Sequence, residues 1–341
     1  MDPLLIDQWL GDLQPIPVID EASVAVVRER VRDQARVLGL PERVTASVVN
    51  LASELGHNQL AHAREGWVVV HPVLRDGVPG LEVIAADRGD GIAAPAEALL
   101  GRPPDPIGGT SLGVGLAAVL ELADETDFDV RVGEGTCVWA RKFAQGVPRR
   151  RQVGVFGRPC PGETISGDHA IFLRLGDGLL VGLADGLGHG PEARIASMAA
   201  IVALQRNAAM TPERILEQCH DALRGTRGAV MSVASMVEPG HAVDIASVGN
   251  VSAHLYGFGP TRRVSGSSFV VGAIGKPHRA AHESHALGAS DALVLFSDGL
   301  TTRTDLEGDL DLLREHPVVI AQRMVERFGR NNDDVLVLVA R

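Results

Sequence analysis

The chain has 341 residues, 45% of them hydrophobic and 22% charged, which is the composition of a globular protein long enough for two domains. The formal net charge is −11, with 12 basic against 22 acidic residues in positions 1–148 and 20 against 21 in positions 149–341, so we expect no broad nucleic-acid-binding face. The absence of any run of about 18 apolar residues predicts no membrane span, and three scattered cysteines predict neither a disulfide framework nor a local zinc site, so we expect a cytoplasmic protein.

The first 145 residues mix helical and strand-like patterns. Apolar residues at helical spacing predict a helix over 21–38, and a second helix opens at Pro41, a residue favoured in first turns. The arm at 1–15 has the apolar spacing of a short docking helix. Two strands, a helix and a closing strand are predicted after these, at 67–72, 81–86, 113–123 and 136–143.

A domain boundary is predicted at residues 146–152. Gly146 and Pro148 precede three arginines there, and the charge balance changes at the same place. We interpret the arginines as part of a solvated linker, with an anion- or partner-docking patch as the alternative. The predicted organisation is an N-terminal arm, a first domain, a linker and a second domain, at 1–15, 16–145, 146–152 and 153–341.

The second domain has a different pattern, in which many short apolar or alternating runs are separated by glycine turns. Two helices are predicted among them, over about 191–210 and 212–223. This order favours sheet packed on sheet with helices outside. The strand-like runs lie at 170–175, 179–184, 229–237, 242–248, 251–256, 292–296 and 335–339.

Three short motifs follow one another in the first domain. Glu54 and Asn58 lie four residues apart on a predicted helix and share one face, where a carboxylate beside an amide oxygen suits a metal-bound triphosphate and an attacking hydroxyl. Asp87 follows a strand and precedes two glycines that permit a sharp turn and close approach of a ligand. A glycine-rich loop at 108–116 opens a helix, where backbone N–H groups suit phosphate oxygens. Taken singly, an exposed helix face, an Asp-Gly turn and a plain loop are the alternatives.

Together, the order of these motifs resembles the ATP-binding domain shared by histidine kinases, gyrase and heat-shock chaperones, over residues 16–145. It resembles most the anti-sigma-factor serine kinases of the RsbT and RsbW type. A P-loop is excluded, because the lysines Lys142 and Lys276 lie outside any Gly-x4-Gly-Lys-Ser/Thr motif.

The resemblance implies a two-layer α/β sandwich that binds ATP and Mg²⁺ and phosphorylates serine or threonine. It implies that Glu54 is the catalytic base or orients one, that Asn58 holds Mg²⁺, and that Asp87, supported by Thr136, contacts the adenine amino group. The residues implied to shape the pocket and close over the phosphates are Gly89, Gly91, Gly109, Thr110, Ser111, Gly113 and Gly115.

Aspartates recur at the ends of strands in the second domain. A single Asp-Gly at such a place is usually a turn, but four such positions suggest carboxylates that converge at one edge of a sandwich. Oxygen ligands favour Mg²⁺ or Mn²⁺ over zinc, and two such ions can activate water and clamp a phosphate. The residues concerned are Asp168, Asp185, Asp298, Asp333 and Asp334.

This set resembles the metal-dependent protein phosphatases of the SpoIIE and RsbX branch, over residues 153–341. The resemblance implies an α-β-β-α sandwich with two Mn²⁺ or Mg²⁺ ions, in which Asp168 and Asp185 are the principal ligands beside the Gly186 carbonyl. Asp298 and Asp333 complete the second site, and Asp334 is the alternative to Asp333.

Histidines near the motifs are open to other interpretations. His189 either touches the substrate phosphate or is structural. His278, His282 and His285 are predicted to be surface residues, and His57 and His62 to be structural or exposed.

The sequence therefore predicts an α+β, bifunctional regulator of a partner-switching pathway. It phosphorylates and dephosphorylates a STAS-type anti-sigma antagonist, with a sigma factor as a further partner. The alternative is an ATP-sensing or sigma-binding module that gates a single phosphatase. A scaffold with two degenerate sites is disfavoured, because the motif residues are nearly complete.

Overall fold

The computed structural model describes residues 13–101, 115–238, 240, 242–257, 259–274, 279–301 and 303–341. The chain forms two compact units, Met1–Gln152 and Val153–Arg341. Within the described ranges, no helix is both long enough and apolar enough to cross a membrane. The predicted docking helix of the arm falls almost wholly on residues outside the described ranges.

The first unit contains a layer of helices and a sheet. Its described helices are α1 (Glu21–Leu38), α2 (Glu42–His62), α3 (Pro95–Leu99) and α4 (Gly115–Leu122). Its described strands are β1 (Ile16–Pro17), β2 (Ala63–Arg75), β3 (Val78–Gly89), β4 (Glu125–Arg131) and β5 (Gly135–Phe143). The strands are antiparallel and ordered β1-β2-β3-β5-β4.

Helix α1 matches the predicted span. Its N-cap is Asp20, whose side chain accepts a hydrogen bond from the Ser23 N–H at 2.8 Å, which satisfies one of the free donors of the first turn. Helix α2 begins one residue later than predicted, because Pro41 is extended and serves as its N-cap. The apolar stripes of the two helices are buried: Val24, Val27, Val31 and Ala35 in α1, and Val44, Val48, Leu51 and Leu55 in α2.

Helix α2 is central to this unit, since it packs against α1, α4 and the strands β2, β3 and β5. The Gln59 side chain fixes its position. Its Nε2 donates to the Trp67 carbonyl on β2 and to the Ala86 carbonyl on β3, both at 2.9 Å. The helix face that carries Asn58 is thereby held over the end of β3, where Asp87 lies.

Residues 150–152 depart from the expectation of a solvated linker, whereas Gly146, Pro148 and Arg149 are exposed, as expected. Arg151 is buried, the Arg150 backbone N–H donates to a Glu125 carboxylate oxygen at 3.2 Å, and Gln152 Nε2 donates to the Thr126 carbonyl at 3.0 Å. The end of the segment therefore lies along β4, because this strand offers both a carboxylate and a carbonyl acceptor.

The second unit is richer in strands. Its described strands are β6 (Val153–Arg158), β7 (Asp168–Leu175), β8 (Gly178–Gly186), β9 (Ala229–Val237), β10 (Ala242–Val248), β11 (Ser252–Tyr256), β12 (Arg262–Val264), β13 (Ala281–Ala286), β14 (Ala292–Phe296) and β15 (Val335–Ala340). Its described helices are α5 (Pro191–Arg206), α6 (Pro212–Ala222) and α7 (Pro317–Phe328), with a 3₁₀ turn at Leu312–Arg314.

These strands form two antiparallel sheets of the α-β-β-α sandwich that the sequence predicts. Within this unit one sheet has the order β6-β15-β14-β11-β12 and the other β13-β10-β9-β8-β7. Helices α5 and α6 pack on the second sheet, and α7 packs on β6 and β15 of the first. The sequence analysis predicted two helices in this unit and missed α7. The first residues of α7, Val318–Ile320, are continuously apolar and show no helical periodicity, because this part of the helix is buried against the sheet.

Candidate functional site

A cavity of about 350 Å³ opens in the first unit between α2, the end of β3 and the start of α4. It brings together the predicted Asn58, Asp87, Gly91, Gly115 and Thr136. Apolar residues complete its wall, including Leu55, Ala85, Ile92 and Val138. A concave, mostly apolar wall with a few polar groups is the common form of a small-molecule site.

Asp87 is the ionisable group at the end of β3. Desolvation raises its pKa to about 7, against the opposing effect of the backbone N–H groups of Thr136 and Gly89. The Thr136 N–H donates to Asp87 Oδ1 at 3.3 Å, so the support predicted from Thr136 comes from its backbone. The carboxyl is therefore oriented by the strands and can accept a hydrogen bond from a ligand amine.

Asn58 lies directly opposite the first residue of α4. A Cβ atom on Gly115 would lie 2.7 Å from Asn58 Oδ1, so only glycine allows this approach. Asn58 Nδ2 is buried without a hydrogen-bond partner among the described residues. The space left by the missing Cβ of Gly115, next to the Asn58 amide with its unused hydrogen-bonding capacity, fits a nucleotide with its metal ion.

The remaining predicted residues of this site are not among the lining residues that the structure describes. Glu54 is half-buried on α2 and is not among the described residues that line the cavity. Gly89 lies beside Asp87, where a Cβ would approach Oδ1 to 2.9 Å. Gly109, Thr110, Ser111 and Gly113 lie outside the described residues.

The sequence analysis missed Gln59 as a lining residue and assigned His62 no role in the cavity. Gln59 could have been identified from the sequence, because it is a polar residue next to Asn58 on the buried side of α2.

The second site lies at one end of the paired strands β7 and β8. Asp168 opens β7 and Asp185 is near the end of β8, and the two are direct partners in the antiparallel register. The Gly186 N–H donates to the Gly167 carbonyl at 3.3 Å. A Cβ on Gly186 would collide with the Ala193 carbonyl, so glycine permits the first turn of α5 to pack against this strand end.

Two further carboxylates belong to the same electrostatic cluster, Asp298 after β14 and Asp333 before β15. Desolvation, followed by repulsion from neighbouring aspartates, raises the pKa of Asp168 to about 8 and the pKa of Asp185 well above its ordinary value. Desolvation and then Asp298 raise the pKa of Asp333. The predicted ligand residues thus converge closely enough to repel one another.

Asp168 Oδ2 is buried without a hydrogen-bond partner among the described residues. Across those same residues, no group of three or more His, Cys, Asp or Glu side chains is gathered as a closed metal-binding set. Carboxylates that repel one another do not close into a tight set without a cation between them. An orphaned carboxylate oxygen within an acidic cluster fits a divalent cation.

Asp333 and Asp334 have different surroundings. Both oxygens of Asp334 accept backbone hydrogen bonds, from the Cys160 N–H at 2.7 Å and the Gly167 N–H at 2.8 Å. Asp333 is half-buried, and its Oδ1 accepts from the Asp334 N–H at 3.0 Å. Asp334 is thus held by backbone contacts at both oxygens, as in a structural role, whereas the Asp333 carboxylate accepts a hydrogen bond at Oδ1 from the next residue.

Two residues that the sequence analysis gave no role contact these carboxylates, and a third fixes the loop before β15. Ser297 bonds to Asp168, and its Oγ accepts from the Leu336 N–H at 3.1 Å. Asn250 Nδ2 donates to Asp298 Oδ2 at 2.7 Å. Arg158 donates to the Arg330 and Asp333 carbonyls in the loop before β15. Ser297 precedes Asp298 in the chain, which was a signal; the other two contacts join distant segments.

The histidines have acidic neighbours. His189 is exposed and pairs with Glu163 at 3.0 Å beside the carboxylate cluster. His282 pairs with Glu213 at 3.1 Å and His285 with Glu283 at 2.9 Å, both away from the predicted ligands in the chain. His278 lies outside the described residues.

Two family models match the chain. One, described as a histidine kinase-like ATPase domain, matches residues 18–142, and the other, described as stage II sporulation protein E (SpoIIE), matches residues 176–341. Each match falls within one of the two compact units.

Individual proteins are similar to parts of the chain. Serine/threonine-protein kinase RsbT of Bacillus subtilis (strain 168) is 30% identical over 134 residues, which are 39% of this chain and 98% of that protein. A solved chain from the bacterial stressosome, described as a modular system adapted to control secondary messenger signaling, has a TM-score of 0.53 and 28% identity, and covers 57% of this chain and 100% of its own. RsbX in complex with magnesium has a TM-score of 0.50 and 23% identity, with 57% and 96% covered, and shows the fold alone.

Proposed function

The chain belongs to the RsbT family of serine/threonine-protein kinases through its first unit and continues into a SpoIIE-type phosphatase domain, and from this premise we propose that it is a bifunctional regulator of a partner-switching pathway. Its first unit phosphorylates, and its second unit dephosphorylates, a serine or threonine of a cytoplasmic STAS-type anti-sigma antagonist. A sigma factor is a further proposed partner of the first unit.

In the first unit, Asp87 accepts a hydrogen bond from the adenine amino group, and the Thr136 N–H donates a second hydrogen bond to the same carboxylate. Asn58 holds Mg²⁺, and Gly89, Gly91 and Gly115 let the backbone approach the nucleotide. Gly109, Thr110, Ser111 and Gly113, in the glycine-rich loop, are proposed to cover the phosphates. Glu54 orients or deprotonates the attacking hydroxyl. Mg²⁺, when bound, neutralises phosphate charge in a reaction that depends mainly on positioning.

In the second unit, Asp168 and Asp185 hold the metal ions together with the Gly186 carbonyl, and Asp298 and Asp333 complete the set. Two Mn²⁺ or Mg²⁺ ions, when bound, supply water activation and positive charge toward the phosphate. Ser297 and Asn250 orient two of the carboxylates. Asp334 fixes the loop before β15 through its two backbone contacts.

One observation carries the proposal. Asp168 and Asp185 are paired across β7 and β8, and the charges of Asp298 and Asp333 raise the pKa of both. Such an arrangement is destabilising by itself and becomes favourable with divalent cations, which is the condition for a metal-dependent phosphatase.

The test is the steady-state phosphorylation of a STAS-domain protein incubated with the full chain, ATP, Mg²⁺ and Mn²⁺. With the wild type, the STAS protein should remain partially phosphorylated, at a level set by the opposing rates of phosphorylation and dephosphorylation. The Asp185→Asn variant should drive it to full phosphorylation and Asn58→Ala to none, as read on phosphate-affinity gels. A STAS protein that stays unphosphorylated with Asp185→Asn contradicts the kinase half of the proposal.

One observation favours a second function: Asn58 and Asp87 line the described cavity and Glu54 does not. The first unit then binds ATP, or a sigma factor, and gates a single phosphatase. Under this alternative a non-hydrolysable ATP analogue changes the turnover of a phosphorylated STAS protein by the wild type, and radiolabel from ATP never reaches that protein.

A further inference from the structure

The loop after β8 forms one rim of the carboxylate cluster. The Leu187 N–H donates to the Gly228 carbonyl at 3.1 Å, which joins this loop to the turn before β9. The Gly188 carbonyl lies 3.4 Å from the position of a Cβ on Gly167, whose N–H bonds to Asp334. The turn before β9 is therefore attached to the rim of the site.

Arg227 lies on that turn and reaches the rim. Its Nη1 is 2.9 Å from the position that a Cβ on Gly188 would occupy, and its Nη2 pairs with Glu192 in the first turn of α5. The Arg227 side chain is 47% exposed and the Glu192 side chain 66% exposed. An ion pair between exposed side chains contributes little to stability, so a competing anion can replace Glu192.

The rim also carries apolar surface. Leu187 is 38% exposed on the loop, and Ile195 is 60% exposed one turn further along α5 than Glu192. A cation with exposed apolar neighbours at the edge of an active site is suited to a protein substrate, because arginine forms bidentate contacts with carboxylates.

We propose that Arg227 is a specificity-determining residue of the phosphatase site, which binds an acidic side chain next to the phosphorylated residue of the substrate and exchanges Glu192 for it. The inference rests on the proposed phosphatase function and adds the class of substrate: a phosphoserine or phosphothreonine segment with acidic neighbours. Glu192 acts as an internal competitor for the same guanidinium.

The probes are a phosphoserine peptide flanked by glutamates, the same peptide flanked by glutamines, a third flanked by lysines, and para-nitrophenyl phosphate. For Arg227→Gln, the preference for the glutamate over the glutamine peptide, as a ratio of kcat/KM, should fall about tenfold. Arg227→Glu should reverse the preference in favour of lysines. Arg224→Gln is the matched control, since Arg224 lies three residues earlier and pairs with Asp221.

The Glu192→Gln variant separates substrate binding from a structural role. If Arg227 binds substrate in competition with Glu192, this variant lowers KM for the glutamate peptide. If the ion pair only holds the loop, Glu192→Gln and Arg227→Gln both impair turnover of every substrate, para-nitrophenyl phosphate included, and the inference is wrong. Equal peptide preferences in wild type and Arg227→Gln also overturn it. If the wild type hydrolyses none of the probes in Mn²⁺, the phosphatase function itself is contradicted. This outcome differs from the failure of the Arg227 inference, in which the probes are hydrolysed without the expected preference.

Discussion

The two candidate sites are built on different principles. The site of the first unit is a cavity of about 350 Å³ whose fit depends on shape, because Gly115 must leave room for Asn58 and because apolar residues form most of the wall. The site of the second unit depends on charge, because Asp168 and Asp185 face each other across two strands, and desolvation followed by the charge of Asp168 raises the pKa of Asp185.

Because of this contrast, the two sites should tolerate different substitutions. A site held by charge should lose its function when one carboxylate becomes an amide of equal size, while the fold keeps its packing. A site held by shape should lose its function when an atom is removed or added at the wall. Isosteric substitutions therefore test the second unit, and truncations test the first.

The largest effect is expected from Asp185→Asn. The amide removes a charge and one oxygen ligand with almost no change in volume, so phosphatase turnover should fall by roughly a thousandfold or more. The thermal midpoint without metal should not fall, because one of several mutually repelling carboxylates is gone. Hydrolysis of a phosphopeptide in Mn²⁺ and a thermal melt are the measurements. Asp311→Asn, at a fully exposed residue of the same unit, is the control, and more than half of wild-type turnover in Asp185→Asn rules out the ligand role.

The next effect concerns the shape-dependent site. Asn58→Ala removes the amide that faces Gly115, so binding of Mg²⁺ and an ATP analogue should weaken by roughly a hundredfold while the phosphatase is spared. Titration calorimetry measures the affinity. His57→Ala is the control, since His57 is an exposed neighbour on the same helix that pairs with Glu21. Unchanged affinity in Asn58→Ala would mean that Asn58 contacts neither the nucleotide nor its metal ion.

How far the sequence predicts this molecule depends on the range of the interaction. The span of α1 and the core of β3 before Asp87 follow from local periodicity, and both are confirmed. Helix α7 was missed because its first residues are continuously apolar and carry no period. The roles of the predicted site residues stay predictions.

Contacts between distant segments could not be predicted at all. The bond from Asn250 to Asp298 joins residues 48 positions apart, and the bond from Gln59 to Ala86 joins a helix to a strand. Both depend on strand register and helix placement, which a single sequence does not specify. The choice between Asp333 and Asp334 belongs here too, because the backbone donors at Cys160 and Gly167 reveal it only in three dimensions.

The third prediction distinguishes Asp333 from Asp334, because substitutions at these two adjacent residues should have different consequences. Asp333→Asn should reduce turnover by roughly a hundredfold with little change in the free energy of unfolding. Asp334→Asn should unfold more easily than Asp333→Asn, by about 1–3 kcal/mol, because an amide nitrogen cannot accept from the second of the two N–H donors. Each variant removes one carboxylate from the same acidic cluster, so chemical denaturation compares the two losses of hydrogen bonding directly. Equal stabilities, with the larger loss of turnover in Asp334→Asn, would exchange the two roles.

The smallest effect is a pH dependence in the first unit. Desolvation raises the pKa of Asp87 to about 7, and its ionised form, in which both oxygens only accept, is the stronger acceptor for an amine. The ionised fraction rises from about a tenth at pH 6 to about nine tenths at pH 8, so affinity for an ATP analogue should increase roughly ninefold over this range.

The free energy of unfolding should change in the opposite direction. The folded protein binds the Asp87 proton more tightly than the unfolded chain, whose carboxyl titrates near 4, so this contribution to stability is present below about pH 4 and is lost as pH rises through about 7. Asp87→Asn should flatten both profiles, whereas Asp76→Asn, in the turn between β2 and β3, should leave them unchanged. Calorimetry and urea denaturation at pH 6, 7 and 8 provide the comparison. An affinity that is constant or falls over this range in the wild type contradicts the assignment of Asp87 to the adenine amino group.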